Sequence, residues 1–399
     1  MRVLFADRLD PVAERTLTEA GWEVVSEPAL RGDALTARLS ELNPAALVVR
    51  STRVTAADAA AAPALGLVIR AGAGVNTIDL EACSDRGIVV ANCPGKNAIA
   101  VAELVFGLMI ALDRSLVAAA TDARQGQWKK SEHARGAKGL HGRTLGIIGL
   151  GMIGEAVAWR ARGFGMHVQA WSRSLDPKRA RLLGLTYCDT PVEAARGADV
   201  LSVHLAATPD TRELVGSDVF AAMQPDGLFL NAARHEVVDE DALLTAVRGG
   251  LRAGLDVLSA EPKGDTAFSH PLASEPGVVI SPHLGASTLQ ASEAVAEEVA
   301  RLLEQWRHSG RVDAAVNVAA HHGVDGTLVV RHLDRVGVLA AVLEQLRAAQ
   351  VNVEEMENTV LLGRRGAIAR ISVAGSVDDA LLSRVEALDH VLAAGYTRA

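Results

Sequence analysis

Three side chains of complementary chemistry stand in short motifs along the second half of the chain. Arg234 closes Asn231-Ala-Ala-Arg234, Glu261 closes Asp256-Val-Leu-Ser-Ala-Glu261, and His283 sits in Pro282-His-Leu-Gly-Ala-Ser-Thr288. A guanidinium offers a planar fork of donors to a carboxylate. An imidazole beside a carboxylate can take up and release a proton while the carboxylate orients the ring and stabilises the imidazolium. Together they form a minimal set for moving a hydride and a proton at a 2-hydroxy acid. Arg234 would hold the substrate carboxylate and polarise the C2 oxygen, and His283 would take the hydroxyl proton. Taken singly, Arg234 could instead pair with Asp239 or Glu240, and a His after Pro could be structural; the three motifs in one chain favour chemistry.

A glycine turn, Gly149-Leu-Gly-Met-Ile-Gly154, follows the apolar run Leu145–Ile148 and opens the amphipathic stretch Glu155–Gly163. There Gly149 permits a tight turn, Gly151 lets the backbone approach a pyrophosphate, and Gly154 lets helix and strand pack closely. The helix N-terminus would hold the pyrophosphate, since its free N–H groups and dipole favour negative charge. At the end of the next strand an acid would hold the ribose of NAD, whereas an Arg accepts the 2′-phosphate of NADP. Trp171-Ser-Arg-Ser174 has no acid there, so Ser172 and Arg173 favour NADP. The alternative is a solvated Arg173 with NAD bound without its usual anchor. Asp256, at another strand end, is expected to accept a hydrogen bond from the nicotinamide amide.

Arg50, Arg53 and Arg70 also follow strand-like runs, and Arg70 opens Arg70-Ala-Gly-Ala-Gly-Val75. Gly72 and Gly74 would let the N–H groups of this loop approach a carboxylate. A further cation beside such a loop suits a substrate with two anionic ends; a solvated basic edge is the competing reading. Trp128, Lys129, Lys130 and Arg135 form a basic loop expected to be exposed or to reach a neighbouring subunit's site.

Positioning these groups requires strands that end near one another. Val3–Ala6, Glu23–Ser26, Ala46–Val49, Val68–Ala71 and Val89–Ala91 read as strands, alternating with helical patterns such as Asp10–Ala20 and Asp33–Leu42. A second series reads Thr144–Ile148, Val168–Trp171, Val200–Val203, Leu228–Asn231, Gly254–Val257 and Val278–Ile280. Strands alternating with helices imply α/β architecture with doubly wound parallel sheets. The motifs all fall at carboxyl ends of the second series, where open α/β sheets bind ligands. Ala98–Leu112 is apolar nearly all round and must be buried, between domains or between subunits. Ser287–Trp306 reads as a crossing helix that returns the chain to the first domain. Residues 308–325 look like a linker. Thr327–Arg331, Val338–Ala349, Val351–Glu357, Ala367–Val373, Asp378–Leu388 and Val391–Tyr396 give the ferredoxin-like order βαββαβ.

The 399 residues allow roughly two to four domains. Aromatics are only 3%, so Ala, Val and Leu must fill the cores. A formal charge of −8 argues against a general nucleic-acid binder. Three scattered cysteines suit a reducing compartment better than a disulfide framework, and no metal site is expected. The opening residues do not read as a signal peptide, and no apolar run reaches the ~18 residues of a membrane span, so a cytoplasmic location is expected.

At this point the chain resembles the D-isomer-specific 2-hydroxyacid dehydrogenase family. The resemblance rests on Arg70–Leu80, Asn97–Glu103, Gly149–Gly154, Val238–Leu243, Gly254–Val257 and Pro282–Thr288, and within the family it points to the phosphoglycerate branch. It implies that Arg234, Glu261 and His283 are catalytic. Arg50, Arg70, Asn97 and the backbone of Gly72, Ala73, Gly74 and Val75 would contact substrate. Met152, Ile153, Ala232, Ala233, Asp256 and Gly285, with the glycine turn, would contact cofactor. The C-terminal segment resembles an ACT domain, a module that senses small ligands such as L-serine. His332, Asp334, Gly337 and Asn352 fall at its effector positions, with Asp334 where Asn is common; an ACT domain kept only for dimerisation is the alternative. Two further departures are His235 in place of the usual Gly, and Ser172-Arg173 in place of the usual acid.

The expected organisation is a flavodoxin-like substrate domain (1–97 and 287–316), a Rossmann dinucleotide domain (98–286), a linker (317–325) and an ACT domain (326–399). The expected reaction is oxidation of 3-phosphoglycerate with NAD(P) by a homo-oligomer regulated by L-serine. Its rivals are a hydroxypyruvate or glyoxylate reductase and a dinucleotide-sensing regulator without turnover.

Overall fold

The computed structural model describes residues 1–262, 264, 266–318 and 323–399. It comprises two compact units, Met1–Asn317 and Val318–Ala399. The first unit holds two parallel sheets. In the first sheet, β1 (Arg2–Phe5), β2 (Glu23–Ser26), β3 (Ala46–Val49), β4 (Leu67–Arg70) and β5 (Val89–Asn92) take the order β2-β1-β3-β4-β5. Alternate residues of β1 enter separate cores: Val3 and Phe5 pack with Ala296, Val299 and Leu303, and Leu4 packs with Leu35 and Leu39. Both faces are therefore covered, as a parallel sheet requires.

The second sheet contains β6 (Thr144–Ile148), β7 (His167–Trp171), β8 (Thr186–Tyr187), β9 (Val200–Val203), β10 (Leu228–Asn231), β11 (Arg252–Leu255) and β12 (Val278–Ile280). Its order is β12-β11-β10-β9-β6-β7-β8. The apolar helix Ala98–Asp113 lies in the core of this sheet, where Val101, Val105, Leu108 and Met109 join the cluster of Leu145, Ile147 and Leu230. The long helix Leu289–Ser309 starts from Thr288, whose side chain accepts from Ala291 N–H, and its apolar face joins the core of the first sheet. The expected doubly wound architecture is thus present in both sheets.

Two expectations shift. The strand expected at Gly254–Val257 is Arg252–Leu255, so Asp256 stands just beyond its end, buried without belonging to the strand. The segment after the long helix is not a free linker up to Asn317. Ala315 bridges Ala91, Val316 N–H donates to Val90 O, and the Asn317 side chain accepts from Val90 N–H and donates to Ile88 O. The stretch therefore lies along the outer edge of β5. Of the linker expected at 317–325, residues 319–322 lie outside the described residues.

The second unit contains β13 (Gly326–Leu333), β14 (Asn352–Val360), β15 (Gly366–Ala374) and β16 (Val391–Arg398) in the antiparallel order β14-β15-β13-β16. Helices Val338–Ala348 and Asp379–Glu386 connect them in the βαββαβ order, and Val342, Leu346, Leu381 and Val385 pack on Leu328, Val330 and Ile371.

Candidate active site

The glycine turn leaves β6 and enters the helix Met152–Gly163, with Gly151 as N-cap. Gly149 has φ +98°, and a Cβ there would lie 2.6 Å from the His204 carbonyl oxygen. A Cβ on Gly154 would overlap the Gly149 carbonyl, whereas one on Gly151 would meet nothing. Two glycines thus permit close packing, and the third leaves the helix N-terminus open to an anion. These residues fit a dinucleotide pyrophosphate. Ser172 and Arg173 follow the end of β7; Arg173 is exposed and, among the described residues, makes no ion pair.

His283 and Glu261 meet: Nδ1 of the imidazole lies 2.8 Å from Glu261 Oε2. Leu258 N–H donates to the other carboxylate oxygen. With Nδ1 directed at Glu261, Nε2 remains for a ligand. Both loops contain a left-handed residue that is not glycine, Ala260 at φ +55° and His283 itself at φ +54°. Such conformations cost about 1–3 kcal/mol each and persist where the surroundings over-determine them. For His283 the determinant is Asp256, which is 2% exposed. Its carboxylate accepts from Ser281 Oγ, Leu284 N–H and Gly285 N–H, and its backbone carbonyl accepts from His283 N–H. Both Asp256 oxygens are thus engaged by the turn carrying His283, rather than left wholly to a nicotinamide amide. Gly285 is required beside it, because a Cβ there would lie 2.8 Å from Asp256 Oδ2.

Arg234 follows β10, where Asn231 holds the turn by accepting from Ala233 N–H and donating to the Arg234 carbonyl. The surface pairing with Asp239 or Glu240 does not occur: Asp239 caps the next helix, and Glu240 binds Ser259. Across from Arg234 runs the loop after β4. A Cβ on Gly74 would lie 3.0 Å from Arg234 Nη2, and one on Gly72, at φ +151°, would overlap the Arg70 guanidinium. Asn92 pins this loop by donating to the Ala73 carbonyl at 2.6 Å. The N–H groups of Ala73, Gly74 and Val75 make no hydrogen bond among the described residues.

Burial holds the Arg70 guanidinium below the usual arginine value, and its cationic neighbours Arg234 and Arg50 push it the same way. None of these three arginines forms an ion pair with a carboxylate among the described residues. Arg53 is exposed. Cations near one another and not ion-paired attract an anionic ligand, even with the Asp7 carboxylate in the neighbourhood.

Arg234, His283, Asn97, Ile153, Ala232, Ala233, Asp256 and Gly285 line one cleft of about 390 Å³ with residues 73–76. Glu261 borders an adjacent cavity of about 460 Å³, with His283 in both walls. Met152 is 55% exposed and lies against Gly95. His235 stands beside Arg234 and approaches Glu236 at 3.5 Å, outside the cleft's lining.

Reading of the chain missed three contributors. Asp7, after β1, accepts from the N–H groups of Arg50, Ser51 and Thr52 and so sets the direction of the Arg50 loop. Burial would raise its carboxyl, but these hydrogen bonds prevail and hold it below the ordinary value. Its signal was an acid at the carboxyl end of a strand. His204, in the cleft wall, touches Ser202 Oγ through Nε2 at 2.9 Å while its Nδ1 is buried without a partner. Burial pushes its pKa down to about 3. Asn76, third, reaches the cleft beside Gly74.

In the second unit, His332 is 2% exposed, with Nδ1 on the Leu333 carbonyl and Nε2 on Asn358 Oδ1. Both ring nitrogens are therefore engaged internally. Gly337, at φ +93°, is the N-cap of the Val338–Ala348 helix; Asp334 N–H donates to the Arg365 carbonyl, and Asn352 donates to Glu354.

The D-isomer specific 2-hydroxyacid dehydrogenase, NAD binding domain, matches residues 106–285. D-3-phosphoglycerate dehydrogenase of Mycobacterium tuberculosis is 38% identical over 361 residues, covering 88% of this chain and 66% of that protein. The chain thus spans just under two thirds of that relative's length. The crystal structure of the TT0316 protein from Thermus thermophilus superposes with a TM-score of 0.69 at 35% identity, over 79% of this chain and all of the other. A structure described as NADPH-dependent glyoxylate/hydroxypyruvate reductase from Sinorhizobium meliloti gives 0.68 at 31% identity, over 79% of this chain and 97% of the other. With the dinucleotide turn, the His–Glu pair and the cleft of Arg234 in place, the chain belongs to the D-isomer specific 2-hydroxyacid dehydrogenase family.

Proposed function

We propose that the chain is a D-3-phosphoglycerate dehydrogenase, oxidising 3-phospho-D-glycerate to 3-phosphooxypyruvate in L-serine synthesis. One observation carries this reading. Arg234 and His283 share a cleft with three free backbone N–H groups, and Arg70 and Arg50 add positive charge that no carboxylate pairs. A substrate with an anion at each end completes that arrangement.

Arg234 and the N–H groups of Ala73, Gly74 and Val75 grip the substrate carboxylate, and Arg50, Arg70 and Asn97 take the distal phosphate. The C2 hydroxyl then faces Nε2 of His283, because Nδ1 is directed at Glu261. As the C2–H bond breaks with its electron pair, the hydroxyl proton passes to Nε2 and the C2–O bond becomes a carbonyl. A bound nicotinamide dinucleotide supplies the hydride acceptor. Glu261 stabilises the resulting imidazolium, and His283 returns the proton in the reverse direction.

Met152, Ile153, Ala232, Ala233 and Gly285 are proposed to border the cofactor, with Ser172 and Arg173 favouring NADP. The domain assignment follows the two parallel sheets, 1–97 with 287–316 and 98–286, then 326–399 as an ACT domain. L-serine is proposed as its effector at His332, Asp334, Gly337 and Asn352, and a homo-oligomer in the cytoplasm is the expected form. Among the described residues no single helix is long and apolar enough to cross a membrane. A second reading, reduction of hydroxypyruvate or glyoxylate, is favoured by Ser172-Arg173 and by likeness to the reductase above.

A steady-state assay pairing NAD and NADP with 3-phosphoglycerate and with unphosphorylated 2-hydroxy acids, with and without L-serine, tests these readings. The expected result is a kcat/KM at least tenfold higher for the phosphorylated substrate, as one charged hydrogen bond is worth about 1.5–3 kcal/mol. Equal or better use of glyoxylate or hydroxypyruvate would overturn it in favour of the reductase.

A further inference from the structure

Behind the His283–Glu261 pair lies a second polar group, Glu240, Ser259 and His270, none of which lines the cleft of Arg234. Ser259 donates twice to one carboxylate, N–H to Glu240 Oε1 at 2.8 Å and Oγ to Oε2 at 2.5 Å. His270 Nε2 lies 3.1 Å from that second oxygen and 3.2 Å from Ser259 Oγ. Leu272 N–H donates to His270 Nδ1, so Nδ1 keeps its lone pair and Nε2 carries the hydrogen directed at Glu240. Phe268 stacks on the His270 ring, which is largely buried.

A serine, a histidine and a glutamate together invite comparison with a nucleophilic triad, but the hydrogens run the wrong way. Ser259 Oγ gives its proton to Glu240, and the imidazole lone pair faces Leu272 rather than the serine. The group serves as an anchor instead. Glu240 opens the rigid helix Glu240–Arg248, whose N-terminus favours a carboxylate. Ser259 stands two residues before Glu261, and between them Ala260 is held left-handed. Released from Glu240, the loop would be free to relax that residue and swing Glu261 away from the imidazole.

We propose that Glu240, Ser259 and His270 are positioning residues that hold the 258–261 loop in its strained turn, so that Glu261 meets Nδ1 of His283. The proposal rests on reading His283 and Glu261 as the proton-transfer pair. It names three residues separated by up to thirty positions in the chain, bound to one another and acting through Glu261 alone.

The test uses the full chain with Glu240→Ala, Glu240→Gln and Ser259→Ala, followed by steady-state kinetics and by NMR of 15N-labelled histidine. The His283 signals are assigned from their loss in His283→Gln. Glu240→Ala is expected to lower kcat about tenfold to a hundredfold with KM held within about twofold, the scale of a small misplacement. It should also convert His283 from one Nδ1–H tautomer into a mixture. Glu240→Gln should recover most of both, since its amide oxygen still accepts from Ser259 N–H, and Ser259→Ala should fall between. A folded Glu240→Ala protein with unchanged kcat and tautomer overturns the proposal, as does a change confined to KM. Should Glu240→Ala fail to fold, Ser259→Ala decides by the same two measurements. A wild-type chain without turnover, in which the tautomer still responds to Glu240→Ala, would remove the dehydrogenase reading and leave the anchor standing.

Discussion

Two regions of the candidate site treat charge in opposite ways. Around the turn that carries His283 the acids are partnered: His283 meets Glu261, and Asp256 is bound by the turn it organises. At the loop after β4, Arg70 stands near Arg234 and Arg50 with no carboxylate ion-paired to any of the three among the described residues, beside the N–H groups of residues 73–75, which donate to nothing among those residues. The first arrangement is preassembled and costs little to reorganise during a reaction. The second is incomplete without an anion. Under the proposed function proton transfer falls to the His283 turn and anion capture to the arginines, so substitutions at the two places should separate kcat from KM.

The comparison is broken most severely at His283. His283→Ala should lower kcat by about 10²–10⁴-fold, the range of general acid–base catalysis, measured in steady-state assays. Near-normal turnover would remove it from the proton-transfer role. At the arginine cluster, Arg70→Gln should raise KM for a phosphorylated substrate by roughly ten- to a hundredfold, following the worth of a charge-assisted hydrogen bond, with kcat little changed. An equal loss with unphosphorylated substrates would show that Arg70 does not read the second anion.

A smaller effect concerns stability. His204 has its pKa pushed down to about 3, so between about 6.5 and 3 the unfolded chain binds a proton that the folded chain refuses. Its contribution is therefore destabilising as pH falls through that window, with a slope approaching 1.4 kcal/mol per pH unit. Denaturation curves of His204→Gln should lose this slope; identical pH dependence in both proteins would contradict the burial argument. Asp7 works on the same acid limb. Its folded value lies below 3.8, so its stabilisation is full well above pH 3.8 and is lost as pH falls through the folded value. Asp7→Asn should therefore cost stability near neutrality and progressively less in acid. The smallest expected change is in Ala260→Gly: strain relief and greater chain entropy oppose each other, leaving stability within about 1 kcal/mol of wild type.

Much of the architecture was legible because its signals are local. Short apolar runs such as Ala46–Val49 and Leu228–Leu230, alternating with helical patterns, suit a covered parallel sheet, and both lie in one. β8 went unread because two residues at a sheet edge carry almost no pattern. The strand at Gly254–Val257 was displaced by two residues because Asp256 and Val257 are as buried as strand residues without being paired as such. Arg234, Glu261 and His283 announced themselves through motif and type. Their restraints did not, since Asp7 reaches its loop across more than forty residues and Glu240 reaches Ser259 across nineteen. The left-handed backbone at Ala260 and His283 is likewise invisible in a sequence, because neither residue type demands it.

Asn317 carries a consequence of its own. Its amide oxygen and nitrogen bind Val90 and Ile88 as the backbone of another strand would, so a single side chain extends the ladder on the margin of β5. A chain cut before Ala314 would leave that margin as a row of unsatisfied donors and acceptors, a template on which foreign strands could add. Compared with a chain ending at Asn317, one ending before Ala314 should therefore show clumping in solution as its first change rather than lost turnover.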